Sequence, residues 1–268
     1  MNQKPPAINI HPGKRCDGTI VIIKGLFFSD NLFDLKLDYL EKRTCVTVNL
    51  HHYLQAECKD IDTIARRLCD DLDDLNISDA LFISVGVGSA VAFKIAMLRT
   101  DLIRGNIMVG FSNKLVDASL RKIQYDIFQF AMQQGFDDES RSLVVQTLIG
   151  CASNCQLIDQ EIKLMIKMGR CQSFLTLLNL QQEQHFSREE IKGNKVPNFI
   201  ITANSDPWAS ANDVHNLSKE MGTNRGFMKI NKNISNTQAL TTKEYNIVLE
   251  VILDELSMIK QETQVKVS

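Results

Sequence analysis

The stretch that most constrains the fold is residues 79–110, DALFISVGVGSAVAFKIAMLRTDLIRGNIMVG. An uninterrupted apolar run at 80–85 meets a glycine-rich turn, Gly86-Val87-Gly88-Ser89. A helix-forming run at 90–99 follows and leads through Asp101 to a second apolar run at 107–109. The order is strand, turn, helix, strand. Strands this apolar, with no alternation, are predicted where helices cover both faces of a parallel sheet. The turn lies at the carboxyl end of its strand and beside a helix amino terminus. Such folds place their chemistry there, because the first N–H groups of the helix have no partner within it.

Within that turn, Ser84-Val85-Gly86-Val87-Gly88-Ser89-Ala90 resembles the nucleophile elbow of the α/β-hydrolase family, small-x-Ser-x-Gly followed by small residues and a helix. In that register Gly86 stands at the nucleophile position, and a hydrogen atom cannot attack a carbonyl. The likeness extends along the chain. The first confident strand, 19–24, runs into Gly25-Leu26-Phe27-Phe28-Ser29, which resembles the family's His-Gly oxyanion loop, with Lys24 where histidine is common. The resemblance implies that the N–H of Leu26 or Phe27 forms half of an oxyanion hole, a task of the main chain. An ordinary strand-to-loop turn fits the same residues.

The strand at 196–202 is followed by Ala203-Asn204-Ser205-Asp206-Pro207-Trp208, similar to the family's strand and Gly-x-x-Asp, so Asp206 matches the triad acid. A triad acid orients a histidine and stabilises its charged form. The family places that histidine after the last strand, here 226–230. The following segment, Asn231 through Ser235 to Thr237, holds none, and no histidine follows His215. The degenerate triad positions are therefore Gly86, Asp206 and Ser235. Deprived of a histidine, Asp206 is expected to cap the helix at 211–221 or to fix its loop.

With 268 residues, 44% of them hydrophobic, the chain suits one α/β domain. The predicted fold is a mostly parallel central sheet with flanking helices (the α/β-hydrolase fold), interrupted by a helical cap: core at 1–111, cap at 112–194, core at 195–268. A formal charge of −2 gives no reason to expect nucleic acid as a partner. Seven cysteines without framework spacing, and no secretory signal, point to reduced thiols and a cytoplasmic location. No apolar run approaches the ~18 to 20 residues that span a bilayer. No cofactor and no metal site are expected, and a homo-oligomer is open.

Elsewhere, residues 7–10 offer an edge strand, 33–40 a short helix, and 45–50 a strand ending in His51-His52-Tyr53. That would put both histidines at the rim of a pocket, as a base or metal ligand, although adjacent side chains rarely face one way. Residues 61–75 are amphipathic, with Asp70, Asp71, Asp73 and Asp74 mostly on a solvated face. From 112 to 193 the chain loses β character. Helices are predicted at 123–135, 141–151, 159–169 and 171–180, and they resemble the family's cap over the active-site cleft. The resemblance implies a pocket bounded by Leu26, Phe27, Gly86, Val87, Phe128 and Phe136, with Phe130, Met132, Met165, Met168 and Phe174 as further candidates. The same residues would serve to hold the cap helices together. Cys151 and Cys155 have no partner pair at metal-ligand spacing. A last helix is predicted at 245–259.

Two functions remain. One is a non-catalytic protein that binds a small apolar ligand or a partner protein through the cap-covered pocket or its surface. The other is an enzyme on the same scaffold, a lyase, isomerase or cyclase using Asp206, Lys24 or the histidine pair. An esterase or thioesterase with a relocated nucleophile ranks behind both. Ser84 ends a buried strand, Ser89 is placed to cap a helix, and His185 and His215 lie outside the final loop. The Gly86-x-Gly88 pair is a weak dinucleotide signal, because Val91 stands where a third glycine belongs.

Overall fold

Strand β4 (Ala80–Val85) has all six residues buried, as its unbroken apolar sequence requires. It lies at the middle of a seven-stranded sheet in the computed structural model, which describes residues 8–13, 18–26, 43–55, 58–113, 115–149, 155–203, 206 and 208–230. The other strands are β1 (Ile8–His11), β2 (Thr19–Ile23), β3 (Thr44–Val48), β5 (Ile103–Val109), β6 (Asn198–Ala203) and β7 (Asn224–Ile230). Their order is β1-β3-β2-β4-β5-β6-β7. Every neighbouring pair is parallel except β1 and β3, so β1 is an antiparallel edge.

Helices α1 (Leu50–Gln55), α2 (Ile61–Asp74) and α3 (Val87–Leu98) belong to the first half of the sheet, and α9 (Ala211–Glu220) joins β6 to β7. Among the described residues, five helices lie between β5 and β6: α4 (Ala118–Gln133), α5 (Asp138–Ile149), α6 (Cys155–Lys167), α7 (Cys171–Glu183) and α8 (Arg188–Gly193). Helix α2 buries Ile64, Leu68 and Leu72 at helical spacing, each worth roughly 1.5–3 kcal/mol on removal from water. Helix α3 is buried nearly all round, because it packs between the sheet and α7.

Several expectations change. The strand expected at 45–50 stops at Val48, and His51 and His52 sit in the first turn of α1 rather than at a strand end. Asn49 is the cause: its side-chain oxygen accepts the His51 N–H at 3.1 Å and its carbonyl accepts the His52 N–H at 3.1 Å, which turns the chain. β5 begins at Ile103, earlier than its apolar run, and takes in the buried Asn106, whose Oδ1 accepts the Ser84 hydroxyl at 3.2 Å. The aspartates of α2 are not merely solvated. Asp71 accepts the Tyr53 hydroxyl at 2.8 Å, and Asp73 lies 2.6 Å from Arg99.

Helix α8 was absent from the periodicity, although its capping box is written in the chain as Ser187-Arg188-Glu189-Glu190. Ser187 and Glu190 satisfy each other's backbone N–H groups at 3.2 and 2.8 Å. Within the inserted helices, Phe128 of α4 stacks on Phe174 of α7 at 5.0 Å between centroids and meets Phe136 edge-on at 5.4 Å. The helices expected at 33–40 and 245–259 lie outside the described residues, as do Phe27 and Ser235.

Candidate functional site

At the end of β4 the chain reverses through Gly86, whose φ and ψ are 53° and −121°. That backbone strains any residue with a Cβ, and glycine adopts it freely. Two bonds hold the turn: the Gly86 N–H reaches the Val109 carbonyl at 2.8 Å, and the Gly86 carbonyl accepts the Ser89 N–H at 2.9 Å. Gly88 answers a different demand. A Cβ there would lie 2.5 Å from the Ile23 carbonyl oxygen, so helix α3 approaches the end of β2 this closely only without a side chain. The sharp bend and the close helix approach are both present, while the apex carries no hydroxyl.

A side chain of the insertion reaches this turn. Val87, the residue after the apex, points its N–H at the side-chain oxygen of Gln181 on α7, 3.2 Å away. Gln181 is buried, and its Nε2 has no hydrogen-bond partner among the described residues. The neighbouring residues of α7 bind the insertion down on other sides. The Gln182 amide donates to the Gln124 side chain on α4, and Gln184 Nε2 donates to the Ser112 carbonyl at 2.9 Å. Sequence reasoning passed over these residues; their signal was the polar run Gln181-Gln182-Glu183-Gln184 following the apolar Phe174, Leu175, Leu177, Leu178 and Leu180.

The alternative hydroxyls near the turn are both inside. Ser84 donates toward Asn106 Oδ1 and the Ile107 carbonyl, at 3.2 and 3.3 Å. The Ser89 hydroxyl is fully buried and has no hydrogen-bond partner among the described residues, and α3 has no side-chain cap, so the capping role expected of Ser89 is not filled.

The histidine pair separates. His52 packs its ring edge against Tyr53, and His51 is fully buried. His51 Nε2 lies 3.1 Å from the Leu26 carbonyl oxygen and Nδ1 lies 2.8 Å from the Ser173 hydroxyl of α7. A carbonyl accepts only, so Nε2 carries the proton and Nδ1 accepts from Ser173. The Arg170 carbonyl, 2.9 Å from the same hydroxyl, is a second acceptor that shares its one proton. Burial pulls His51 down to about 4 and holds it neutral, with the Leu26 hydrogen bond opposing and Arg170 adding to the shift. His51 thus ties the loop after β2 to α7, a contact no local pattern announced.

Asp206 is buried and accepts the N–H groups of Trp208 and Ala209 at 2.9 and 3.1 Å, fixing its loop. The helix cap is Ser210, whose hydroxyl accepts the Asp213 N–H. His185 and His215 are exposed, and Lys24 is buried. Of the proposed pocket residues, Leu26 lies beside His51, Gly86 and Val87 lie beneath Gln181, and Phe128 and Phe136 are packed among the inserted helices. Phe130 and Met168 are exposed, whereas Met165 and Phe174 are buried. Among the described residues no group of three or more His, Cys, Asp or Glu is placed to hold a metal ion, and no helix is long and apolar enough to cross a membrane.

No family model and no curated protein sequence matches this chain. Solved structures do. A hydrolase from Oleispira antarctica superposes with a TM-score of 0.72 at 14% identity, over 93% of this chain and 94% of the other. A thermophilic esterase from Thermogutta terrifontis gives 0.70 at 10% identity, over 94% and 93%. An α/β-hydrolase enzyme from a Medee basin deep-sea metagenome library gives 0.64 at 13%, over 83% and 84%. At these identities the likeness is one of architecture. Taken with the parallel sheet, the bend at Gly86 and the inserted helices, it shows that the chain has the α/β-hydrolase fold.

Proposed function

We propose that this protein is a non-catalytic member of its fold, which binds a small apolar ligand or a partner protein through the cap formed by its inserted helices. One observation carries the reading. The apex of the elbow is Gly86, and the N–H that would stabilise an oxyanion, that of Val87, is already held by Gln181. Acyl transfer through a serine needs a nucleophile, a base and free donors at the developing charge. The apex supplies no nucleophile, no histidine follows β7 in the chain, and the donor is taken. Purified protein is expected to give no hydrolysis of a panel of p-nitrophenyl esters above background and no fluorophosphonate labelling. Labelling at any serine would sink the reading.

A second reading keeps catalysis, and two observations favour it. The solved structures similar to this one include a hydrolase and an esterase. The chain also holds a serine, a histidine and a carbonyl in series: Ser173 hydroxyl to His51 Nδ1, and His51 Nε2–H to the Leu26 oxygen. In that arrangement Ser173 would attack an acyl carbon while its proton passes to Nδ1 and then to the departing alkoxide or thiolate. A base depressed to about 4 and fully buried is poorly matched to that work at neutral pH. Mapping any fluorophosphonate adduct separates the two readings, since the second requires it on Ser173.

A further inference from the structure

The interior of the inserted helices is packed around three phenylalanines. Phe128 of α4 and Phe174 of α7 are each 1% exposed and lie ring on ring at 5.0 Å, and Phe136 meets Phe128 edge-on at 5.4 Å and 73°. Val144, Leu148 and Met165 belong to the same apolar core. An interior packed this closely takes a ligand only where one of its own side chains can leave.

The three rings are not held alike. Phe128 and Phe174 stand within helices of 16 and 13 residues, so helical hydrogen bonds fix their backbone positions. Phe136 sits instead in the short turn 134–137 between α4 and α5, where Gln134, Gly135 and Asp137 are exposed. Its φ is 55°, in the left-handed region that a bulky side chain disfavours, and Gly135 before it has φ 69°. Two hydrogen bonds keep it there: its N–H donates to the Ala131 carbonyl at 2.8 Å, and its carbonyl accepts from Arg141 at 3.2 Å. At Gly135 a Cβ would meet nothing within 4 Å, so the turn has room to change shape. Of the three, Phe136 is the ring whose departure relieves strain and leaves the helices whole.

We propose that Phe136 is a removable plug of the cap, and that a neutral ligand carrying a benzene-sized aromatic ring displaces it and packs edge to face on Phe128. The vacated space is that of one phenyl ring, which sets the ligand's size, and its apolar walls exclude a charged group. The plug rests on the proposed binding function and names its ligand class. It makes the free protein a self-closed form, whose apparent affinity is scaled down by the fraction of molecules with the plug out.

The probe is toluene, titrated into the full chain and followed by calorimetry and by amide hydrogen exchange. Saturable binding with a Kd below about 5 mM is expected. Exchange of the segment 134–138 should quicken by about threefold or more in the complex, because the Phe136 N–H then leaves Ala131. A side chain that only fills the core would show no such quickening. Phe136→Gly removes the ring and adopts the positive φ without strain, so it should bind toluene about tenfold more tightly than the parent, with no further change of exchange in that segment. The parent experiment decides by itself should the variant not fold. Absence of saturable binding to the parent, unchanged or slowed exchange at 134–138, or equal affinity of parent and variant would each overturn the plug. Binding without quickened exchange leaves the proposed function standing, whereas fluorophosphonate labelling of a serine overturns that function itself.

Discussion

Gln181 Oε1 lies 3.2 Å from the amide nitrogen of Val87, which places a helix of the insertion in hydrogen-bond contact with the first turn after β4. The Val87 N–H is thereby satisfied by an amide side chain of the insertion. Replacing it by alanine should leave the Val87 N–H to water and cost about 1 kcal/mol by urea denaturation. An unchanged midpoint would show that the contact contributes nothing to the fold.

Gly86→Ser restores a hydroxyl at the apex but forces a Cβ into φ 53°, ψ −121°. Strain of order 1–3 kcal/mol should lower the melting temperature. Esterase activity should not appear, because no histidine follows β7 to activate the new oxygen. A rise of more than about tenfold over the parent with p-nitrophenyl acetate would reveal a base within reach.

At Gly88 the argument is steric. A methyl group 2.5 Å from the Ile23 carbonyl oxygen has no soft neighbour to displace, so α3 and β2 must move apart. Gly88→Ala should destabilise by about 1–3 kcal/mol in chemical denaturation, more than an alanine at the exposed Gly193. Equal effects at the two positions would contradict the close approach.

His51 makes stability pH-dependent. Its folded value of about 4 lies below the ordinary 6.5, so the unfolded chain binds more protons between the two. Stability from this group is therefore complete above about pH 6.5 and is lost as pH falls toward 4. The gap corresponds to about 3 kcal/mol at about 1.4 kcal/mol per pH unit. Denaturation at pH 7 and pH 4.5 should show the loss, and His51→Gln should flatten that part of the profile. A parent curve as flat as the variant's would rule the linkage out.

Much of the architecture was legible. The apolar run of β4, the glycines of its turn and the periodicity of α2 reflect local rules, in which a residue's neighbours along the chain decide its conformation. Where a local signal was read too coarsely, the boundary slipped. Asn49 ended β3 and opened α1, and Ser187 with Glu190 opened α8. The site was legible only in part. The empty apex at Gly86 was plain, but Gln181 and Ser173 gave no periodic sign of their roles.

The linear chain by itself determined the central unit of strand, turn, helix and strand, the glycine at the bend after β4 and the lack of a histidine beyond His215 in the sequence, because each is written in residue identity or short-range spacing. Only the tertiary structure decided what covers the elbow and what His51 does. Val87 and Gln181 are 94 residues apart and His51 and Ser173 are 122 apart, and such meetings are set by how α7 packs onto the core rather than by any pattern along the chain.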